Sequence, residues 1–271
     1  MRIIVLGKGY LGAEFERQGY EVLGKELFQL EYPVSFQDSY FSLSYYNSIL
    51  DSYDVIINCI GKSNTRWCEK RENFSEALYV NGILPATLSL YCKYTNKKFV
   101  QVSTGCLYDQ HYIDNKETDF IAAHCNYTVT KWVGEQGCDV NRDLILRPRL
   151  YFSDIPNRNN LLCKLPHFKQ FIDENNSLTC TTEIIKATQA LLDNKQVGIF
   201  NIANDGYTTI WRIACLIGLR GEQMSENALH EKEKLFLINN TMDISKLKKF
   251  YQPQNLKEAI LECWKKLGEN K

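Results

Sequence analysis

The stretch Arg2-Ile-Ile-Val-Leu-Gly-Lys-Gly-Tyr-Leu-Gly12 decides the fold. A short run of branched apolar residues ends in a glycine turn, and Ala13-Glu-Phe-Glu-Arg17 continues in helical register. A strand, a Gly-x-Gly-x-x-Gly turn and a helix in this order are typical of a dinucleotide-binding unit, because the glycines let a pyrophosphate approach the N–H groups at the helix start. The alternative is a plain strand-to-helix turn. The residues predicted to bind the dinucleotide here are Gly7, Lys8, Gly9, Tyr10, Leu11 and Gly12.

Strand and helix patterns alternate along the rest of the chain. The strand patterns lie at 20–23, 53–60, 98–103, 143–147 and 197–203, and the helical patterns at 76–94, from about 125, at 161–171, 210–219 and 256–267. Such alternation favours an α/β fold with a Rossmann-type, doubly wound parallel sheet. We predict a dinucleotide-binding domain over residues 1–150, joined by the returning strand at 197–203. A smaller, mainly substrate-binding region is predicted over 151–271.

Composition and charge exclude several classes of protein. The 271 residues include 32 basic and 32 acidic side chains, so the net charge is zero and the chain lacks the footprint of a nucleic-acid binder. No run approaches the roughly 18 apolar residues of a membrane span, and we see no secretory signal, so we expect a cytoplasmic protein. The ten cysteines form no CxxC pair, so we predict no metal site and mostly reduced core thiols.

The end of the second strand pattern bears on the choice between NAD and NADP. An acidic residue about 20 positions after the first glycine would hold the ribose hydroxyls of NAD. The chain has Gly24-Lys-Glu26 there, and Lys8 lies inside the glycine turn. Lys8 and Lys25 favour a 2′-phosphate and therefore NADPH, whereas Glu26 keeps NADH as the alternative. Both lysines are also compatible with plain solvated surface positions.

Tyr127 and Lys131 lie four residues apart in a helical pattern. Positions i and i+4 share one helix face, so a phenol and an ammonium can point into the same pocket. Thr104, which follows the strand pattern at 98–103, could deliver a hydroxyl there. This set suits proton transfer to a carbonyl during hydride transfer, because a neighbouring positive charge favours the phenolate form. The alternative is an exposed helical pair.

The order of motifs resembles the extended short-chain dehydrogenase/reductase family. That order is the glycine turn, Asn58-Cys-Ile-Gly61, Asn81, Ser103-Thr104, and then Tyr127 and Lys131. The resemblance implies that Tyr127 is the proton donor, that Lys131 binds the nicotinamide ribose and that Thr104 holds the substrate oxygen. It also implies that Cys59, Gly61 and Asn81 contribute to the cofactor site.

Further segments narrow the resemblance within that family. They are Trp67-Cys-Glu69, Ser103-Thr-Gly-Cys-Leu-Tyr108, Leu146-Arg-Pro-Arg-Leu150 and Asn159-Asn-Leu-Leu-Cys-Lys164. These resemble the bifunctional 3,5-epimerase/4-reductases of NDP-L-rhamnose synthesis, with GDP-L-fucose synthase as a relative. The resemblance implies that Cys106 is the base that removes the acidic proton beside a keto group and that Lys164 reprotonates the opposite face. His167 is the alternative donor. The residues are also compatible with a small buried Cys106 and with a surface or phosphate-binding Lys164.

Two pairs of polar side chains are candidates for holding the nucleotide sugar. Arg147 and Arg149 follow a strand, and a guanidinium fork matches phosphate geometry, although salt bridges would explain them equally. Asn159 and Asn160 are further candidates for binding the sugar or the diphosphate.

The expected function is NAD(P)H-dependent reduction of the 4-keto group of a 4-keto-6-deoxy nucleotide sugar after 3,5-epimerisation. One rival is a reductase or epimerase of another nucleotide sugar without 3,5-epimerase activity. Another is a non-catalytic dinucleotide sensor. By resemblance, a homodimer through the helix that carries Tyr127 is also expected. Two departures are a glycine turn one residue tighter than is usual in the family and a short loop after Cys106.

Overall fold

The computed structural model describes residues 1–24, 49–108, 113–225, 228 and 239–269. Its contacts group into two compact units. The first unit contains residues 1–103, 123–146 and 197–199, and the second contains 104–122, 147–196 and 200–271. The segment 104–122 therefore groups with the second unit, although it follows directly from a strand of the first.

The strands and helices have the following bounds. The strands are β1 Ile3–Leu6, β2 Glu21–Leu23, β3 Val55–Asn58, β4 Lys98–Val102, β5 Leu144–Pro148, β6 Tyr151–Phe152, β7 Gln170–Ile172, β8 Thr179–Cys180, β9 Gly198–Ile202 and β10 Glu222–Met224. The helices are α1 Tyr10–Arg17, α2 Thr65–Cys68, α3 Phe74–Leu78, α4 Leu84–Tyr94, α5 Asn126–Gln136, α6 Leu161–Lys164, α7 Thr181–Asp193, α8 Ile210–Leu216, α9 Ser245–Lys248 and α10 Leu256–Glu269.

The main sheet has six strands in the order β2-β1-β3-β4-β5-β9. The pairs β2-β1, β1-β3, β3-β4 and β4-β5 are parallel, with Ile4 opposite both Glu21 and Ile56. Residues of β3 are buried throughout, as expected for a parallel strand covered on both faces. The doubly wound sheet predicted from the sequence is confirmed. Chain order reverses beside β1, and ligands bind outside the carboxyl ends of strands at such a switch point.

The helical pattern at 76–94 is not one regular helix. A π-helical turn at Tyr79–Ile83 separates α3 from α4. Glycines let α5 approach this turn closely. A Cβ atom on Gly134 would lie 2.1 Å from the carbonyl oxygen of Asn81, and one on Gly137 would lie 2.3 Å from the Ala86 Cβ. Wide turns of this kind occur often at functional sites.

The second unit has its own apolar core. Members of that core come from α6, α8 and α10, among them Leu162, Ile213 and Ile260. The helical pattern at 161–171 is correct only at its start, because α6 ends at Lys164 and a 3₁₀ turn leads into β7. Pro166 explains this end, since proline lacks the N–H that would continue the helical ladder. Helix α7 and the short strand pairs β6-β8 and β7-β10 were not predicted.

Across the described residues, no helix is long and apolar enough to cross a membrane. The same residues contain no cluster of three or more histidine, cysteine, aspartate or glutamate side chains suited to a metal ion.

Candidate active site

The glycine turn forms an open helix start at the end of β1. Gly7 has a φ of +105°, and its N–H donates to the Leu23 carbonyl at 2.7 Å. A Cβ on Gly12 would lie 1.8 Å from the Gly7 carbonyl oxygen, so only glycine fits there. A Cβ on Gly9 would meet nothing within 4 Å, and among the described residues no side chain caps α1. The exposed amides of a helix start fit an anion such as a pyrophosphate.

The side chains that bear on cofactor choice are only partly described. Lys8 in the turn forms an exposed ion pair with Glu16 at 3.5 Å. Lys25 and Glu26 lie outside the described residues. Of the remaining turn residues, Leu11 is buried and Tyr10 is half-buried at the first position of α1.

Lys131 is held at the carboxyl end of β4 by a buried polar network. Its Nζ donates to the Val102 carbonyl at 2.9 Å, and Lys131 is 7% exposed. The same carbonyl accepts a hydrogen bond from Gln101 Nε2 at 2.8 Å, and Gln101 Oε1 accepts one from Asn58 Nδ2 at 2.8 Å. Gln101 was missed from the sequence, where the only signal was a polar residue inside the apolar run of β4.

The residues after β3 lie beside this lysine. A Cβ on Gly61 would lie 3.4 Å from Asn81 Oδ1 and 3.6 Å from Lys131 Nζ. Asn81 is buried, and its side chain both accepts from the Lys62 N–H at 2.8 Å and donates to the Lys62 carbonyl at 3.0 Å. Burial raises the pKa of the Cys59 thiol to about 12, although the Lys131 ammonium acts in the opposite direction. The Cys59 thiol is therefore protonated at neutral pH.

Tyr127 lies in the first turn of α5, one helical turn before Lys131. A capping box joins Cys125 and Thr128 and fixes the helix start. Thr130 Oγ1 donates to the Tyr127 carbonyl at 2.9 Å and accepts from Asn81 Nδ2 at 3.1 Å. The half-buried phenol and the buried ammonium thus share one helix that is anchored to the π-helical turn.

In the second unit, Thr104 begins the loop that carries Cys106. Thr104 is 4% exposed, and its Oγ1 accepts from the Cys106 N–H at 3.1 Å. A hydroxyl that accepts one hydrogen bond can still donate its own hydrogen. The structure therefore fixes the direction of this hydroxyl while leaving it the chemistry needed to hold a carbonyl oxygen.

Arg149 contacts the sulfur of Cys106. Arg149 Nη1 donates to Cys106 Sγ at 2.8 Å, and Nη2 donates to Asn176 Oδ1 at 2.6 Å. Cys106 is half-buried, whereas Arg149 is 2% exposed. The sequence predicted a diphosphate contact for Arg149 and gave no indication of this pairing.

Arg147 belongs to a different cluster of the second unit. Its Nη1 donates to the Tyr108 hydroxyl at 2.7 Å, and its guanidinium lies over the Tyr108 ring. The Tyr108 hydroxyl in turn donates to Asn201 Oδ1 at 2.7 Å. Arg147 is buried like Arg149, and binding of a diphosphate by either arginine stays a prediction.

The segment around α6 carries the other predicted residues. Lys164 is exposed at the end of α6, and partial desolvation lowers the pKa of its ammonium. His167 is exposed at the end of the following 3₁₀ turn. Asn160 is fully buried and caps α6 by accepting the Leu162 N–H at 3.1 Å, while its Nδ2 donates to the Ser153 and Ile155 carbonyls. Asn160 thus has a structural role, whereas Asn159 is exposed.

A parallel sheet of this order, a glycine turn after its first strand and a helix with Tyr127 and Lys131 define the extended short-chain dehydrogenase/reductase class. Within that class, the chain belongs to the family described as RmlD substrate binding domain, whose model matches residues 1–234. The family resemblance predicted from the sequence is confirmed.

Curated relatives come from Arabidopsis thaliana. One is a trifunctional UDP-glucose 4,6-dehydratase/UDP-4-keto-6-deoxy-D-glucose 3,5-epimerase/UDP-4-keto-L-rhamnose-reductase, 27% identical over 221 residues that cover 74% of this chain. The match spans about a third of that protein, 32%. Another is a bifunctional dTDP-4-dehydrorhamnose 3,5-epimerase/dTDP-4-dehydrorhamnose reductase, 25% identical over 224 residues, with coverage of 74% of this chain and 72% of that protein.

Solved structures share the fold over nearly the whole chain. The UDP-rhamnose synthase of Acanthamoeba polyphaga mimivirus is 22% identical with a TM-score of 0.83, covering 98% of this chain and 99% of that chain. The dTDP-4-dehydrorhamnose reductase of Bacillus anthracis, solved in complex with NADP, is 15% identical with a TM-score of 0.81 and coverage of 97% and 98%.

Proposed function

We propose that this protein reduces the 4-keto group of a 4-keto-6-deoxy nucleotide sugar with NADPH, after inverting carbons 3 and 5 of the same sugar. The observation that carries the proposal is the buried Lys131, held by the Val102 carbonyl beside Gly61 and one helical turn after Tyr127. The reductase names of the Arabidopsis relatives, together with membership of the RmlD family, support the choice of substrate class.

NADPH would supply the hydride that is transferred to carbon 4. The open amides at the start of α1 fit its pyrophosphate, and Lys8 offers a positive charge for a 2′-phosphate. The NADP complex of the Bacillus anthracis reductase supports the same cofactor, with NADH as the alternative. Lys131 would hold the nicotinamide ribose, and Gly61 would leave room beside it.

In the reduction step, Tyr127 would give its proton to the oxygen on carbon 4. Lys131 would stabilise the phenolate that remains, because an ammonium on the same helix face favours the charged form. Thr104 would donate its hydroxyl hydrogen to the substrate oxygen and orient the carbonyl. The protonated Cys59 thiol would contribute no negative charge to this step.

In the epimerisation step, the Cys106 thiolate would remove a proton from a carbon next to the keto group. The electron pair of that C–H bond forms an enolate, and Lys164 would protonate the carbon from the opposite face. The lowered pKa of Lys164 makes its ammonium a stronger acid than an ordinary lysine. Solvent exchange then returns both groups to their starting protonation states, so solvent hydrogen would enter the sugar.

The test is incubation with UDP- or dTDP-4-keto-6-deoxyglucose and either NADPH or NADH in deuterated water, with products identified by NMR. The expected product is the L-rhamnose nucleotide with deuterium at carbons 3 and 5. Reduction without deuterium at either carbon would leave a 4-reductase alone. Nucleotide binding without reduction of either sugar would favour a non-catalytic sensor or a different sugar.

A homodimer through α5 is part of the same proposal. Trp132 and Val133 are exposed on α5, with exposed fractions of 39% and 36%. Leu90 is also exposed on the neighbouring α4. Exposed large apolar side chains suit contact with a second copy. Light scattering of the purified protein would give the mass of a dimer, and Trp132→Glu should lower it to that of a monomer.

A further inference from the structure

The unusual feature of the second unit is a buried arginine whose guanidinium contacts a thiol. Arg149 Nη1 lies 2.8 Å from Cys106 Sγ. Arg149 is 2% exposed, so its positive charge has lost most of its water. A buried guanidinium needs strong hydrogen-bond acceptors, and Cys106 Sγ is one of the acceptors of Arg149.

The arginine is held in place by a closed ring of hydrogen bonds. Its Nη2 donates to Asn176 Oδ1 at 2.6 Å, and the same oxygen accepts the Asn240 N–H at 3.3 Å. Asn240 Nδ2 donates to the Gly105 carbonyl at 3.0 Å, which returns to the residue before Cys106. Each of these residues except Cys106 is buried. The ring therefore fixes the guanidinium relative to the loop that carries the sulfur.

Gly105 packs closely against this arrangement. A Cβ there would lie 2.3 Å from the Met242 sulfur and 3.5 Å from Arg149 Cδ. The loop thus packs closely against the arginine and the segment at 239–242.

We propose that Arg149 is the positioning residue that holds the sulfur of Cys106, directs its lone pair and stabilises the thiolate when Cys106 acts as the base. This inference rests on the epimerase half of the proposed function, and it assigns to Arg149 a role other than diphosphate binding. An N–H donor on a charged group stabilises the anion of its acceptor. The thiolate then accepts a proton from the carbon beside the keto group and becomes a thiol, while Arg149 keeps its own protons.

The positioning role of Arg149 can be distinguished by mutation from the role of a single positive charge. Arg149 uses two nitrogens of one planar group, for the sulfur and for Asn176. A lysine at this position would keep the charge but could not span both partners with the same rigidity. Arg149→Lys should therefore retain part of the effect and Arg149→Met none of it.

The experiment measures alkylation of Cys106 by iodoacetamide, followed by mass spectrometry of its peptide. In the wild-type protein at neutral pH, half-buried Cys106 should react faster than the exposed Cys215. Arg149→Met should lower the alkylation rate of Cys106 by about tenfold, equivalent to about 1.4 kcal/mol. The rate in Arg149→Lys should lie between those of the wild-type protein and Arg149→Met. In strongly alkaline solution the alkylation rates of Cys106 in the wild-type protein and in the Arg149 variants should converge, because thiols in general are ionised there. A merely structural arginine would not produce this dependence on pH.

Arg147→Met is the matched control, since Arg147 is equally buried two residues earlier but contacts Tyr108. It should leave the alkylation rate of Cys106 unchanged. Equal rates in wild-type protein and Arg149→Met at neutral pH would overturn the proposal. If Arg149→Met does not fold, a wild-type Cys106 that reacts no faster than Cys215 would overturn it as well.

Deuterium incorporation separates this inference from the proposed function. With both correct, Arg149→Met should lose about tenfold or more of the deuterium entering carbons 3 and 5. If alkylation depends on Arg149 but the wild-type protein incorporates no deuterium, the pairing stands and the epimerase proposal falls.

Discussion

Gly134→Ala should damage the helix that carries Tyr127 and Lys131, although alanine is the better helix former. An added Cβ would lie 2.1 Å from the carbonyl oxygen of Asn81, and real Cβ atoms keep at least 3.0 Å. Helix α5 and the π-helical turn must therefore separate by about 0.9 Å. That movement would stretch the 3.1 Å hydrogen bond from Asn81 Nδ2 to Thr130 Oγ1 beyond bonding distance.

The change in the free energy of unfolding is the difference between a gain in helix propensity and two losses. Replacing glycine by alanine inside a helix gains up to about 1 kcal/mol. Overpacking costs about 1–3 kcal/mol, and the lost buried hydrogen bond adds about 1 kcal/mol. The expected net loss in the free energy of unfolding is about 1–3 kcal/mol. A displacement of reacting groups by about 1 Å can also lower kcat/KM by about a hundredfold.

Gly268→Ala supplies the control, because a Cβ on this glycine of α10 meets nothing within 4 Å. It should leave stability unchanged or raise it slightly. Urea unfolding followed by circular dichroism gives the free energy, and oxidation of NADPH with the keto sugar gives kcat/KM. A Gly134→Ala protein as stable and as active as the Gly268→Ala protein would refute the close-packing argument.

Gln101→Leu should lower the free energy of unfolding by about 1–3 kcal/mol and weaken NADPH binding, because Asn58 Nδ2 loses its buried acceptor and the Val102 carbonyl loses a donor. Urea unfolding and calorimetric titration of NADPH would check this. Tyr127→Phe should lower reduction by about 10² to 10⁴-fold while NADPH still binds, and a loss below tenfold would exclude Tyr127 as the proton donor. Partial desolvation lowers the pKa of Lys164, so its ammonium loses the proton at a lower pH than the ordinary 10.5. As pH is raised, deuterium incorporation should therefore begin to decline before pH 10.5 is reached. Desolvation disfavours the charged form of Lys164 in the folded protein, so the free energy of unfolding should rise as pH rises through the lowered pKa. Lys164→Gln should remove this pH dependence.

The sequence was sufficient where a local pattern determines the structure. The glycine turn, the apolar runs of β1, β3 and β4 and the i, i+4 pair of Tyr127 and Lys131 each follow from backbone geometry or from periodicity. Such features depend on neighbours along the chain. The order of these motifs then indicated the family, which the RmlD match confirmed.

The sequence was insufficient where the role of a side chain depends on contacts with residues that are distant along the chain. Asn160 looked like a sugar ligand, yet its amide is used to cap α6 and to hold the Ser153 segment. Arg149 looked like a phosphate fork, yet its partners are a sulfur 43 residues earlier and an amide 27 residues later. The type of a side chain limits what it can bind, but the fold determines which partner it contacts.

The polar networks of the two units separate the two halves of the proposed reaction. Lys131 and Gln101 both donate to the Val102 carbonyl in the first unit, whereas Arg149 donates to Cys106 in the second. The hydrogen bonds described above for Lys131 and for Cys106 share no residue, so the defect of each single variant is expected again in the double variant. The double variant Gln101→Leu/Arg149→Met should therefore combine the NADPH defect of the first change with the alkylation defect of the second. A strongly non-additive result would mean that one network supports the other, and that the hydride and carbon-acid chemistries cannot be altered separately.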